Sequence, residues 1–133
     1  MKRFLCFLMV FITLLLFASC NSDKNSITLR TGTYYAVGDY EEFMVPYLHL
    51  DTTDNTFSLG ESSLMSYAEN GIYEIIDDVI LATAQDTKLK FKIKDKNTLI
   101  LIDNGDYDVF EIPVNTEFVF SEDLKWFVLY MCL

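Results

Sequence analysis

The chain has 133 residues and a formal net charge of −10, with 20 Asp/Glu against 10 Lys/Arg. That length holds one domain with a real core and not two comfortable ones. So large an acidic excess argues against a nucleic-acid partner and for solubility at a crowded surface.

Lys2 and Arg3 open the chain, residues 4–17 are apolar apart from Thr13, and Ala18-Ser19-Cys20 closes the run before a polar stretch over 21–26. This is the composition of an export signal. It falls short of the ~20 apolar residues that a bilayer-crossing helix needs. Leu16-Phe17-Ala18-Ser19-Cys20 resembles the lipobox of bacterial lipoprotein precursors, which ends in two small residues and the cysteine that becomes lipidated. Phe17 stands where that family most often has Leu.

The resemblance implies a signal peptide over 1–19, cut before Cys20 by a signal peptidase that recognises Phe17, Ala18 and Ser19. It further implies a diacylated thioether on Cys20, a flexible tether over 20–30, and a domain held at the bacterial cell envelope outside the cytoplasm. The membrane, reached through that lipid, is then the first partner. An uncleaved anchor helix and an ordinary signal peptide with an incidental cysteine are the alternatives, and either still exports the domain. Asn21 is not the Asp that tends to retain lipoproteins at the inner membrane, so the choice of leaflet stays open. Cys6 leaves with the signal and Cys132 has no partner, so no internal disulfide forms and the domain relies on its core and strand pairing.

After the tether, short β-branched and aromatic runs alternate with Asp/Asn/Gly clusters, and no helical period appears. Strands are expected over 31–37, 44–50, 56–59, 71–76, 79–84, 88–94, 98–102, 109–112, 117–120 and 125–131. The clusters at 51–55, 77–78, 95–97 and 103–106 supply side chains that bond back to their own backbone, and connections this short favour antiparallel hairpins. The longer connection over 61–70 is expected to form a helical turn lying over an open end.

A meander of such strands exposes two edges unless it closes on itself. The fold expected over 31–133 is therefore a single all-β domain, a small antiparallel up-and-down barrel behind the N-terminal signal helix, with an open β-sandwich as the alternative. Gly32-Thr33-Tyr34 resembles the Gly-x-Trp opening of lipocalins, with Tyr in place of Trp. Together with the signal, the whole chain is similar to small bacterial lipoproteins that carry a lipocalin-like domain. That resemblance implies an anchor and a fold but no activity.

The most regular stretch is 88–94. Its period-two alternation puts Lys88, Lys90, Lys92 and Lys94 on one face and Leu89, Phe91 and Ile93 on the other. Same-face side chains lie ~7 Å apart, so this row is a candidate face for an anionic ligand or a partner protein. Two plainer readings stand beside it. The lysines discourage edge-to-edge pairing, or their stems cover apolar neighbours on the adjoining strands.

His49 has no Cys, His or paired carboxylate at ligand spacing, and reads as a satisfied polar residue. The loop Asp103-Asn104-Gly105-Asp106-Tyr107-Asp108, with Glu111 beyond, places its Gly third where an EF-hand needs it sixth, and reads as an acidic turn. Tyr34 or Tyr35, Tyr73, Phe91, Phe118, Phe120, Trp126 and Phe127 would line a cavity. An eight-stranded barrel, however, is only just wide enough to be filled by its own side chains or to hold one small ligand. Neither a nucleophile elbow nor a phosphate-binding Gly loop occurs. No catalytic residue, metal or cofactor is therefore assigned, and the expected function is a non-enzymatic binding domain for a small apolar or anionic envelope ligand. The alternative is a structural module docking to another envelope protein through an exposed strand or the 88–94 face.

Overall fold

The computed structural model describes residues 27–62, 64, 67–105 and 112–123. Eight strands follow one another: β1 Gly32–Ala36, β2 Tyr47–Asp51, β3 Thr56–Gly60, β4 Ala68–Ile76, β5 Val79–Ala84, β6 Thr87–Asp95, β7 Thr98–Asp103 and β8 Glu117–Phe120. Each pairs antiparallel with the next, and β8 returns to β1 through Tyr34↔Phe120, Tyr35↔Val119 and Ala36↔Phe118. The sheet is a closed up-and-down barrel, which removes the open sandwich. Closure satisfies backbone donors and acceptors that an open meander would leave at its edges.

Turn chemistry sets the hairpins. Asp51 Oδ1 accepts from Thr53 N at 2.8 Å, Asp54 Oδ1 from Thr56 N at 3.0 Å, and Asp95 Oδ1 from Asn97 N at 2.7 Å. Asn55 and Asp77 take the left-handed conformation at φ 58° and 57°, where short polar side chains are tolerated. Asp103 Oδ1 accepts from Gly105 N at 3.0 Å, and Gly105 lies at φ 61°.

Several expected boundaries move for identifiable reasons. The second strand begins at Tyr47 rather than 44, because Met44 N turns back to Glu41 O and Pro46 has no N–H to offer a ladder. β4 begins at Ala68 rather than 71. Ala68, Glu69 and Asn70, expected in the connection, pair instead with Gly60, Leu59 and Ser58 of β3. At 112, where a strand was expected to end, Ile112 is buried outside any strand, and 109–111 lie outside the described residues. The helical turn expected over 61–70 loses its last three residues to β4, and Ser63, Met65 and Ser66 lie outside the described residues. So does the strand expected over 125–131.

Strict alternation fills the inside. Tyr34, Leu48, Leu50, Ile80, Phe91, Leu99 and Phe118 have no exposed surface, and Phe57, Tyr73, Leu89, Ile93 and Leu101 pack with them in one cluster. Burial at this scale supplies ~1.5–3 kcal/mol for each large side chain. Leu29 is also buried in this core, so the end of the stretch read as tether packs onto the barrel.

Candidate binding face and barrel interior

β6 places its side chains as the alternation requires. Lys88, Lys90, Lys92 and Lys94 are exposed, while Leu89, Phe91 and Ile93 are buried. The four lysines are not equivalent. Lys90 Nζ lies 2.9 Å from Asp103 Oδ2, and Lys94 Nζ donates to Glu117 Oε1 at 2.9 Å. The Lys90 ammonium and the Gly105 N–H hold the Asp103 carboxyl below the usual carboxylate range, and the bond to Glu117 raises the Lys94 ammonium above its ordinary value. Lys88 and Lys92 make no ion pair among the described residues.

The cross-strand neighbours of Lys92 are apolar, whereas Lys88 faces Thr83. Lys92 stands between Val79 of β5 and Ile100 of β7, and Val79 in turn faces Ile76 of β4. Beside this row an open depression of about 300 Å³ is lined by Ile76, Asp77, Asp78, Val79, Leu81 and Lys90. The outer wall of β4–β7 thus presents cations over aliphatic surface, and long lysine stems can cover part of it.

Inside, the aromatics expected to line a cavity occupy it. Phe91 and Phe118 meet edge to face at 5.7 Å and 84°, and Tyr34 meets Phe120 at 5.4 Å and 74°. That is the arrangement the ring quadrupoles favour. Tyr73 is buried, Tyr35 is half-buried, and Trp126 and Phe127 lie outside the described residues.

One barrel end is tied by residues the sequence reading did not connect. The Tyr34 hydroxyl accepts from Arg30 N at 3.2 Å and lies 3.1 Å from Arg30 O and 3.3 Å from Lys96 O. The Arg30 guanidinium sits 4.0 Å above the Phe120 ring and 3.4 Å from Glu122 Oε1. Burial pushes the Tyr34 phenol up, with Arg30 opposing it in part. Only the Gly32-Thr33-Tyr34 opening hinted at this position. Glu69 was also missed, because it sits among turn-like residues; it is buried and accepts from Tyr67 Oη at 2.9 Å.

The remaining candidates divide plainly. His49 is exposed, with Nδ1 3.0 Å from Thr33 Oγ1. In the acidic loop, Asp103 is engaged by Lys90, whereas Asp106, Tyr107, Asp108 and Glu111 lie outside the described residues. Phe17, Ala18, Ser19, Cys20 and Cys132 lie outside them too.

Eight antiparallel strands, closure of β8 on β1 and an interior packed with its own side chains define a small up-and-down barrel, the architecture that lipocalin-like domains share. No family model matches the chain, and no curated protein or solved structure matches it.

Proposed function

We propose that the protein is a membrane-anchored envelope lipoprotein whose barrel is a non-enzymatic binding domain, engaging an anionic envelope ligand through the outer wall of β4–β7. The observation that carries this reading is the pair Lys88 and Lys92, exposed on β6 and without an ion-pair partner among the described residues, in a chain whose net charge is −10. A cation row over Val79 and Ile100 suits a ligand with an anionic head and an apolar body. An interior packed by Tyr34, Phe91 and Phe118 favours the wall over a pocket as the binding surface.

The anchor rests on the lipobox resemblance of residues 16–20. Intact-mass measurement of membrane-extracted protein tests it. The expected species begins at Cys20 and carries the diacylglyceryl thioether, whereas a membrane-bound, processed Cys20→Ser variant would contradict the lipid.

Docking to another envelope protein is the second reading. With β8 closed on β1, it relies on the lysine wall rather than on a free strand edge. Co-sedimentation of protein lacking residues 1–20 with vesicles containing phosphatidylglycerol separates the two readings, since a purely protein-docking wall then gives no lipid binding.

A further inference from the structure

In an up-and-down barrel successive connections fall at opposite ends, so every second connection shares an end. The β1–β2 loop (37–46), β3–β4 loop (61–67), β5–β6 turn (85–86) and β7–β8 loop (104–116) therefore share one rim. Residues 27–30 enter at the opposite rim, where Arg30 contacts Asn97 and Glu122.

The two rims differ in chemistry. Of the eleven large apolar side chains exposed among the described residues, six are on the first rim: Val37, Phe43, Met44, Leu64, Tyr67 and Val114. Phe43 is 55% exposed and Leu64 69%. They come from three loops that are consecutive around the barrel, because β8 lies beside β1. The described residues of these four connections include five Asp/Glu and not one Lys or Arg. Asp39, Glu41, Glu42, Glu61 and Asp86 make no ion pair among the described residues.

Separately, neither feature asks for a partner, since an acidic rim is well solvated and single exposed apolar residues are ordinary. Placed together they are complementary to one kind of surface. We propose that this rim is a docking surface for a basic amphipathic polypeptide segment of a partner protein, with Phe43, Met44 and Leu64 taking its apolar side and Glu41, Glu42 and Glu61 its cations. An anionic lipid surface would be repelled here, so the rim and the lysine wall serve different partners. If the chain is anchored through Cys20, the rim also points away from the attachment.

The test titrates the purified full chain with a labelled amphipathic peptide of Lys and Leu, followed by fluorescence anisotropy. Phe43→Ser and the double change Glu41→Lys/Glu42→Lys each weaken binding about tenfold, and raised salt weakens the wild type. The matched double change Asp77→Lys/Asp78→Lys at the opposite rim leaves affinity within about twofold. All changed positions are exposed, and unchanged melting temperatures confirm folding. Absence of binding, equal weakening by the two charge reversals, or no effect of Phe43→Ser would each overturn the proposal. In the second case binding follows net charge, and in the third no apolar contact is made.

Discussion

Lys90 and Asp103 face each other at 2.9 Å across the register shift between β6 and β7, and this pair removes one cation from the lysine wall. Both side chains are close to half exposed, so the pair contributes at most about 1 kcal/mol to stability and is screened by salt. Asp103→Asn is therefore expected to leave the melting temperature almost unchanged while tightening binding to phosphatidylglycerol vesicles, because Lys90 becomes free. Co-sedimentation no stronger than wild type would show that Lys90 does not belong to the binding row.

The Tyr34 hydroxyl ties Arg30 to the β6–β7 turn from inside the barrel. Tyr34→Phe keeps the ring and its contact with Phe120 but leaves backbone groups of Arg30 and Lys96 without that partner. The expected loss is about 1–2 kcal/mol, read by urea unfolding, and a neutral substitution would contradict the tie.

Gly71 lies where a Cβ would collide with the Thr83 carbonyl and press on the Phe57 ring. Since Thr83 is held in the β4–β5 ladder, the strands must separate to admit a methyl group. Gly71→Ala is expected to cost about 1–3 kcal/mol, measured by the same unfolding curve, although alanine is otherwise the milder residue in a strand.

Stability should fall at both extremes of pH. Burial raises the Tyr34 and Tyr73 phenols above 10.0, and Glu117 raises Lys94 above 10.5. The folded state therefore holds these protons more tightly than the unfolded state. Their contribution is complete below about pH 10 and is lost as pH rises through the folded values. Asp51 and Asp103 are lowered from 3.8, by the Thr53 amide and by Lys90, so their contribution is present above about pH 4 and lost as pH falls through the folded values. Melting curves should fall towards both extremes, and Tyr34→Phe should soften only the alkaline side. An alkaline limb unchanged in Tyr34→Phe would contradict this account.

How far the fold could be read ahead depended on which interactions were local. The alternation of Lys88 to Lys94 is set by neighbouring residues, so both the strand and its outward face were readable, as were the Asp-led turns at 51–55 and 95–97. Ala68, Glu69 and Asn70 carry no strand pattern of their own and join β4 only because β3 offers them partners, which no local pattern reveals. The Arg30–Phe120 stack joins residues far apart in sequence and appears only once β8 closes on β1. The pairing of two of the four lysines with Asp103 and Glu117 was hidden for the same reason. The acidic, apolar rim was written in the loops, but it becomes one surface only when alternate connections are placed at the same barrel end.

The central claim, that the β6 wall binds an anionic ligand, is tested most directly by vesicle co-sedimentation of wild type and Lys88→Glu/Lys92→Glu, using phosphatidylglycerol-containing against phosphatidylcholine vesicles. To keep the apolar residues 4–17 and any lipid on Cys20 from masking the wall, both proteins are prepared without residues 1–20. The expected result is salt-sensitive binding of the wild-type wall to anionic vesicles only, lost in the double variant with melting temperature unchanged. Equal binding by both proteins, or none by either, would contradict it.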